Sequence, residues 1–407
     1  MRLDDFVTPE DLGALERATG EAEGLPGAIY GEAFYRLEQA ALFPYCWAPV
    51  AVASELPEAG DVRPVELAGY PLLLVRGEDG ALRCFANMCR HRNMPLTLKA
   101  VRRKAELRCP WHGWTYGLDG ALRATPNLGG LGQDHDPAFR LPERGLKALP
   151  LGQWHDLVFV NIAGNAPPLG EHLAPLARFI ADYDLHALRY ASSWEHRYPG
   201  NWKITVEGAQ EDYHLSLGHP QLMKGVVAHD VTIDCAASHV GLRVEQRFAP
   251  GAGRANPAKR TLPKLASFSN VAGAVYYIIN LFPFANLTLE CDNAMLSLWM
   301  PAGASETRLF VHHYFVGDAA ADPRYALARA ETVMGWQEVL RQDDDFVRAV
   351  HEGMALRDAF GLKPRFAPYW ERAVQAFQQQ VVAAIRSGEA ARAASIEPGR
   401  ARAKRAG

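Results

Sequence analysis

The chain has 407 residues, 48% of them hydrophobic and 22% charged, with a net charge of -3. That length suits two domains with a sizeable core. The near-neutral balance excludes a general attraction to nucleic acid or to an anionic membrane surface.

The first twenty residues, MRLDDFVTPEDLGALERATG, are acidic and lack an apolar run, so no secretory leader is expected. The six cysteines are scattered, which fits a reducing cytoplasm better than a disulfide framework. Residues 1–42 read as an N-terminal helical segment, broken by GEAEGLPGAIYG, that packs on the later domain. Residues 43–163 hold short β-like runs separated by Gly, Pro and Asp-Gly turns, the pattern of a small all-β domain. Asp119-Gly120 is expected to make a hairpin turn. No internal repeat is expected.

Residues 164–385 mix strands and helices, an α+β arrangement with an antiparallel sheet. Strands are expected within SWEHRYPG, HVGLRVEQRFAP, AVYYIINLF, NAMLSLWMP and TRLFVHHYF. The uncharged stretch Leu265–Leu289 reads as two buried strands and a turn, not a membrane helix. Long helices are expected from about Pro323 to Ala355 and from about Tyr369 to Ser387. Residues 386–407, ending in GRARAKRAG, read as a disordered tail.

Two Cys-His pairs stand out, Cys89-x-His91 and Cys109-x2-His112. Zinc sites usually pair Cys with Cys and His with His. Here each cluster supplies one of each, which suits a two-iron cluster with one iron held by sulfur and the other by nitrogen. With CRHR and CPWHGWTY around the ligands, the pattern Cys-x-His-x17-Cys-x2-His resembles a Rieske [2Fe-2S] domain. Asn93 stands where oxygenases of this kind usually have Gly. Cys46 and Cys84 fit no ligand position and read as small buried hydrophobes.

A second site is expected in NWKITVEGAQEDYHLSLGHPQL, from Asn201. On a helix, Glu207, Glu211 and His214 share one face. Gly218 and Pro220 end that helix and let His219 fold back toward His214. Two His and one carboxylate leave positions open for dioxygen on iron. Asp343, Asp344 and Asp345 are candidates for the acid. Asp343 is chosen because Trp336, Val339, Leu340, Phe346, Val347 and Val350 surround it at helical spacing, and a buried carboxylate needs a partner. Asp344 is second, and Asp345 reads as exposed.

From about residue 40 to 353 the chain resembles the catalytic (alpha) subunits of Rieske non-haem iron oxygenases. The resemblance implies a helix-grip, START-like catalytic domain, and Fe(II) held by His214, His219 and Asp343. It implies a head-to-tail homotrimer in which Glu211 hydrogen-bonds His112 of another chain and carries electrons across. Glu211 stands where most members have Asp. Dioxygen and a small-molecule substrate are implied partners, as is a separate reductase using NAD(P)H, with or without a ferredoxin. This chain shows no G-x-G-x-x-G unit of its own. EDYH resembles the branch that oxidises quaternary ammonium compounds, although that branch usually has Cys where this chain has Asp212. Tyr276, Tyr277, Phe284 and Trp299 are candidates for an aromatic cage or a flat pocket. A zinc-stabilised binding protein and a pure electron carrier are the competing classes. The first leaves the mixed Cys-His pairs unexplained, the second the His214–His219–Asp343 set.

Overall fold

The computed structural model describes residues 1–139, 144–250, 262–268 and 273–403, the last nine of them by backbone alone. They fall into two compact units, Tyr45–Leu169 and Met1–Pro44 with Gly170–Gly407.

The first unit is all-β. Its strands are β1 (Ala48–Val52), β2 (Val62–Leu67), β3 (Tyr70–Arg76), β4 (Leu82–Ala86), β5 (Leu107–Arg108), β6 (Thr115–Tyr116), β7 (Leu122–Ala124), β8 (Ala148–Leu149), β9 (Leu151–Trp154) and β10 (Leu157–Val160). They form three small sheets, β1-β10-β9, β2-β3-β4-β8 and β5-β6-β7. Two hairpins share one sequence pattern, GEDGALR at 77–83 and GLDGALR at 117–123, so a short repeat is present after all. In each, the second Gly takes positive φ, and Asp79 or Asp119 caps the turn and pairs with the Arg four residues on. Cys89 and Cys109 lie inside the apolar core with Val75, Phe85, Trp114 and Tyr116. Burial pushes the thiols of Cys46 and Cys84 up to about 12, as for inert core cysteines.

The second unit is built on a seven-stranded antiparallel sheet. Its strands are β11 (Leu188–Tyr198), β12 (Val226–Ala236), β13 (His239–Phe248), β14 (Ala274–Leu281), β15 (Ala285–Leu289), β16 (Asn293–Pro301) and β17 (Thr307–Val316), in the order β11-β17-β16-β15-β14-β13-β12. The expected strands are present, and Leu265–Leu289 supplies β14 and β15 with a turn between them. Strand β12 was not anticipated. It is an edge strand with a mixed, half-exposed pattern, which gives little apolar signal.

The helices are α1 (Pro9–Leu15), α2 (Glu32–Ala41), α3 (Leu169–Phe179), α4 (Trp202–Gly208), α5 (Leu215–Gly218), α6 (Pro220–Met223), α7 (Ala326–Gln342), α8 (Asp344–Arg357) and α9 (Arg372–Ala403). Three expectations are corrected. The helix expected through His214 ends at Gly208, and half-buried Glu207 turns toward Tyr30 and α9. There it accepts the Tyr30 hydroxyl at 2.8 Å and Gln378 Nε2 at 2.9 Å. The long helix before Ala355 breaks at Asp343, where the Tyr198 hydroxyl donates to the Leu340 carbonyl at 2.6 Å and the ladder is interrupted. The expected disordered tail instead continues α9 as far as Ala403, and Glu389 in it accepts Leu3 N at 2.8 Å. Residues 404–407 of that tail lie outside the described residues.

Helix α2 holds α4 through a buried ion pair. Lys203 Nζ meets Glu38 Oε1 at 2.5 Å, and Trp202 Nε1 donates to Glu38 Oε2 at 3.1 Å. Both charged side chains are at most 1% exposed. Glu38→Gln should therefore strand a buried ammonium and destabilise the protein by about 3 kcal/mol. Glu32→Gln, in the exposed pair with Arg36, should change nothing measurable. Thermal denaturation of both variants checks the contrast.

Candidate active site

The first site is made by two loops with the same backbone. Cys89 N donates to Met94 O and Asn93 N to Cys89 O; Cys109 N donates to Trp114 O and Gly113 N to Cys109 O. Four residues after each Cys the chain takes positive φ, 59° at Asn93 and 72° at Gly113. Asn tolerates that region best after Gly, so Asn93 preserves the loop. The sulfurs are buried and the imidazoles exposed, with the His91 and His112 rings 4.5 Å apart. His91 stacks on Trp114 at 4.8 Å. Burial, then the positive neighbours His112 and Arg92, holds His91 below its usual pKa, which favours the neutral ligand form. Burial raises the Cys89 thiol, so a thiolate there needs a metal to carry its charge. These four donors fit a [2Fe-2S] cluster. Tyr116, a residue sequence reasoning passed over, points its hydroxyl at Cys89 Sγ (3.2 Å) and accepts from Arg90 N at 3.0 Å.

In the second unit, His214, His219 and Asp343 offer ligand atoms that all lie within 4.8 Å of one another. His219 Nε2 and Asp343 Oδ1 are 3.0 Å apart. Each imidazole is held by its other nitrogen. His214 Nδ1 meets Glu211 Oε1 at 2.5 Å, and His219 Nδ1 meets Gln342 Oε1 at 2.7 Å. With Nδ1 engaged, Nε2 is the nitrogen of each ring left for a metal, and that of His219 faces Asp343 Oδ1. Glu211 Oε2 also accepts His214 N at 3.0 Å, which fixes the turn after α4. His219 is buried between α5 and α6, with Pro220 opening α6.

Burial lowers the pKa of His214, but the Glu211 hydrogen bond and the charges of Glu211, Asp343 and Asp212 outweigh it and leave it raised. His219 is likewise raised: burial pulls it down, and its bonds to Asp343 and Gln342 win. The site thus favours positive charge, as a site for Fe(II) must. The three aspartates divide their tasks. Asp343 joins the triad, Asp344 binds His196 Nε2 at 2.7 Å, and Asp345 pairs with Arg348 at 2.7 Å. Gln342 was missed because a neutral amide gives no metal signal in sequence.

The triad borders a cavity of about 420 Å³. All six apolar residues expected around Asp343 line it, from Trp336 to Val350. Of the four aromatic candidates, Tyr276 and Trp299 line the cavity. Tyr277 bonds Asp182 and Arg243, and Phe284 packs on Phe43 and Trp202 in the core.

Residues 46–135 match the Rieske [2Fe-2S] domain, and residues 185–387 match the ring hydroxylating alpha subunit (catalytic domain). The chain belongs to the Rieske non-haem iron oxygenases. It is similar to the glycine betaine monooxygenase oxygenase subunit of Chromohalobacter salexigens, at 32% identity over 53% of this chain and 47% of the relative. The chain thus spans about half the length of that relative. It is also similar to the carnitine monooxygenase oxygenase subunit of Escherichia coli, at 27% identity over 87% of this chain and 89% of the relative. Among solved structures, a quaternary ammonium Rieske monooxygenase superposes with TM-score 0.77 at 22% identity, over 93% of this chain and 99% of the other. Naphthalene 1,2-dioxygenase from Rhodococcus gives 0.74 at 17%, over 92% and 97%. These likenesses describe a Rieske oxygenase fold. No helix among the described residues is long and apolar enough to cross a membrane.

Two measurements check the outer contacts of this Rieske oxygenase. Gln342→Leu should weaken iron binding by about ten- to a hundredfold, seen as lost iron on dialysis, while the cluster spectrum stays. Tyr116→Phe should keep the cluster but lower its midpoint potential in a redox titration, because a hydrogen bond that stabilises the more negative reduced sulfur is gone.

Proposed function

We propose that this chain is the terminal oxygenase component of a Rieske system. It uses O2 to hydroxylate a small organic substrate, either aromatic or N-methylated, including quaternary ammonium compounds. Hydroxylation at an N-methyl carbon gives an unstable product, so oxidative demethylation follows. A single observation carries this reading: two imidazoles, each held by Nδ1, meet one carboxylate on the wall of a 420 Å³ cavity. The relatives named glycine betaine and carnitine monooxygenase subunits support the N-methylated class.

Cys89, His91, Cys109 and His112 hold the cluster, and His214, His219 and Asp343 hold the catalytic iron. When bound, these centres supply electron delivery and dioxygen activation. The protein's own part is positioning and exclusion of water. Val339, Leu340 and Val347 are buried behind the triad, and Trp299 and Tyr276 supply flat walls for a substrate. Glu211 orients His214 and, in a head-to-tail homotrimer, accepts a hydrogen bond from His112 of the next chain. The protein works in the cytoplasm with a separate reductase using NAD(P)H, directly or through a ferredoxin.

Purified protein should contain about three iron atoms per chain with acid-labile sulfide. Zinc without sulfide would overturn the reading. His214→Ala, His219→Ala and Asp343→Ala should each abolish turnover and leave the cluster spectrum intact, whereas Asp344→Asn should stay active.

Glu211→Gln should retain both centres, yet its reduced cluster should persist in the presence of O2 and substrate. Co-assembling Cys89→Ala with His214→Ala chains should restore some activity. Dead mixtures of folded chains would show that electrons do not cross between subunits.

A further inference from the structure

The sheet face that floors the cavity carries a polar row that the chemistry above does not use. Ile278, Asn286, Thr288, Met295 and Trp299 line the cavity. Side chains two apart on a strand share a face. Asn280, in step with Ile278, and Ser297, between Met295 and Trp299, therefore lie on this face too. Strand register sets Asn280 opposite Asn286, and Asn286 opposite Ser297. Cross-strand neighbours of this kind stand about 5 Å apart at Cβ. Val240 on β13 and Val311 on β17 flank the three. Asn280 is 0% exposed, Asn286 2% and Ser297 0%. Thr288 Oγ1 donates to Asn286 Oδ1 at 3.1 Å. Asn280 Nδ2 and Oδ1, Asn286 Nδ2 and Ser297 Oγ have no hydrogen-bond partner among the described residues.

A buried amide or hydroxyl without a partner costs stability, and an apolar side chain of similar shape avoids that cost. Here three such groups stand side by side. We propose that the row is a substrate subsite. Asn286, on the cavity wall, binds an uncharged group that both donates and accepts a hydrogen bond, a carboxamide or a hydroxyl. Asn280 and Ser297 stand on either side of Asn286 and complete the site. Both ends of the Asn280 amide are unpartnered, so the row offers an acceptor as well as donors whichever way that amide lies. A carboxylate brings no hydrogen to that acceptor. The row itself carries no charge. The metal that His214, His219 and Asp343 would hold, and the carboxylates of Glu211 and Asp212, stand off this sheet. Hydrogen bonding, not net charge, is then what the row selects by. The inference rests on the cavity being the substrate pocket of an oxygenase.

Calorimetric titration of the holoenzyme tests it, with iron and sulfide measured on the same sample. Two sets of near-isosteric probes are used. One is glycine betaine amide, glycine betaine and isobutyltrimethylammonium. The other is benzamide, benzoate and isopropylbenzene. The set that contains the tightest-bound probe is the one read. Within it the carboxamide should bind at least about tenfold more tightly than the hydrocarbon, and no more weakly than the carboxylate. Asn286→Leu should remove the preference for carboxamide over hydrocarbon. Substrate-free Ser297→Ala should melt no lower than the wild type, because its hydroxyl has no protein partner to lose. Should Asn286→Leu misfold, the wild-type ratios and Ser297→Ala still decide. A smaller preference, tighter binding of the carboxylate, no binding of any probe, an unchanged preference in Asn286→Leu, or a lower melting temperature in Ser297→Ala overturns the inference. If iron and sulfide are present in full while the preference is absent, the subsite alone falls. If iron and sulfide are missing, the oxygenase reading falls.

Discussion

An imidazole gives a metal one nitrogen, and the partner of its other nitrogen decides which one. That constraint organises the catalytic unit. Glu211 engages His214 at Nδ1 and Gln342 engages His219 at Nδ1. Both Nε2 atoms are thereby committed to the metal side. The chain's irregularities serve this arrangement. Helix α4 stops at Gly208, so Glu211 sits in a turn and reaches both the ring and the amide of His214. Helices α7 and α8 part at Asp343, so two consecutive residues do different work. Gln342 orients a ligand, and Asp343 is one of the three candidate donors.

Such a site concentrates charge in an apolar space, and the surrounding unit must hold it rigidly. Lys203 and Glu38 are buried together, and Tyr30, Glu207 and Gln378 extend the polar network around α4. These contacts tie the N-terminal segment and α9 to α4. A buried pair of this kind is weak evidence for net stability, since desolvation offsets most of its attraction. Its consequence is geometric: α4 has one place to lie. That in turn fixes the turn from which Glu211 and His214 project.

The two metal sites solve opposite problems. In the first unit the sulfurs belong to the core, while the imidazoles stand at the surface where electrons must enter and leave. In the second unit His219 is fully enclosed and His214 half-buried, at the edge of a cavity. Exposure suits a carrier that meets partners. Enclosure suits dioxygen chemistry, which water would compromise.

Which residue types could bind metal, and at what spacing, was written along the chain. Cys-x-His and Cys-x2-His are local patterns, so both loops and all four candidate ligands were legible from spacing alone. His214 and His219 were singled out by spacing as well, although the helix expected to carry them ends at Gly208 and Pro220 opens a new one. Asp343 could be singled out because a carboxylate inside an apolar stripe has few stable outcomes. Roles that depend on partners far along the chain emerged only from the folded arrangement. Glu207 looked like part of an acidic helix face and proved to be a half-buried partner of Tyr30 and Gln378, which reach it from 177 and 171 positions away. Gln342 and Tyr116 carry no charge and no motif, so only their distances to His219 and Cys89 reveal them. Asp212 is the sharpest case. In sequence it is an acid between Glu211 and Tyr213. It becomes a feature of the pocket only when β12 and β14 bring His229 and Tyr276 to it, because the sheet, not the local chain, sets what a buried carboxylate faces.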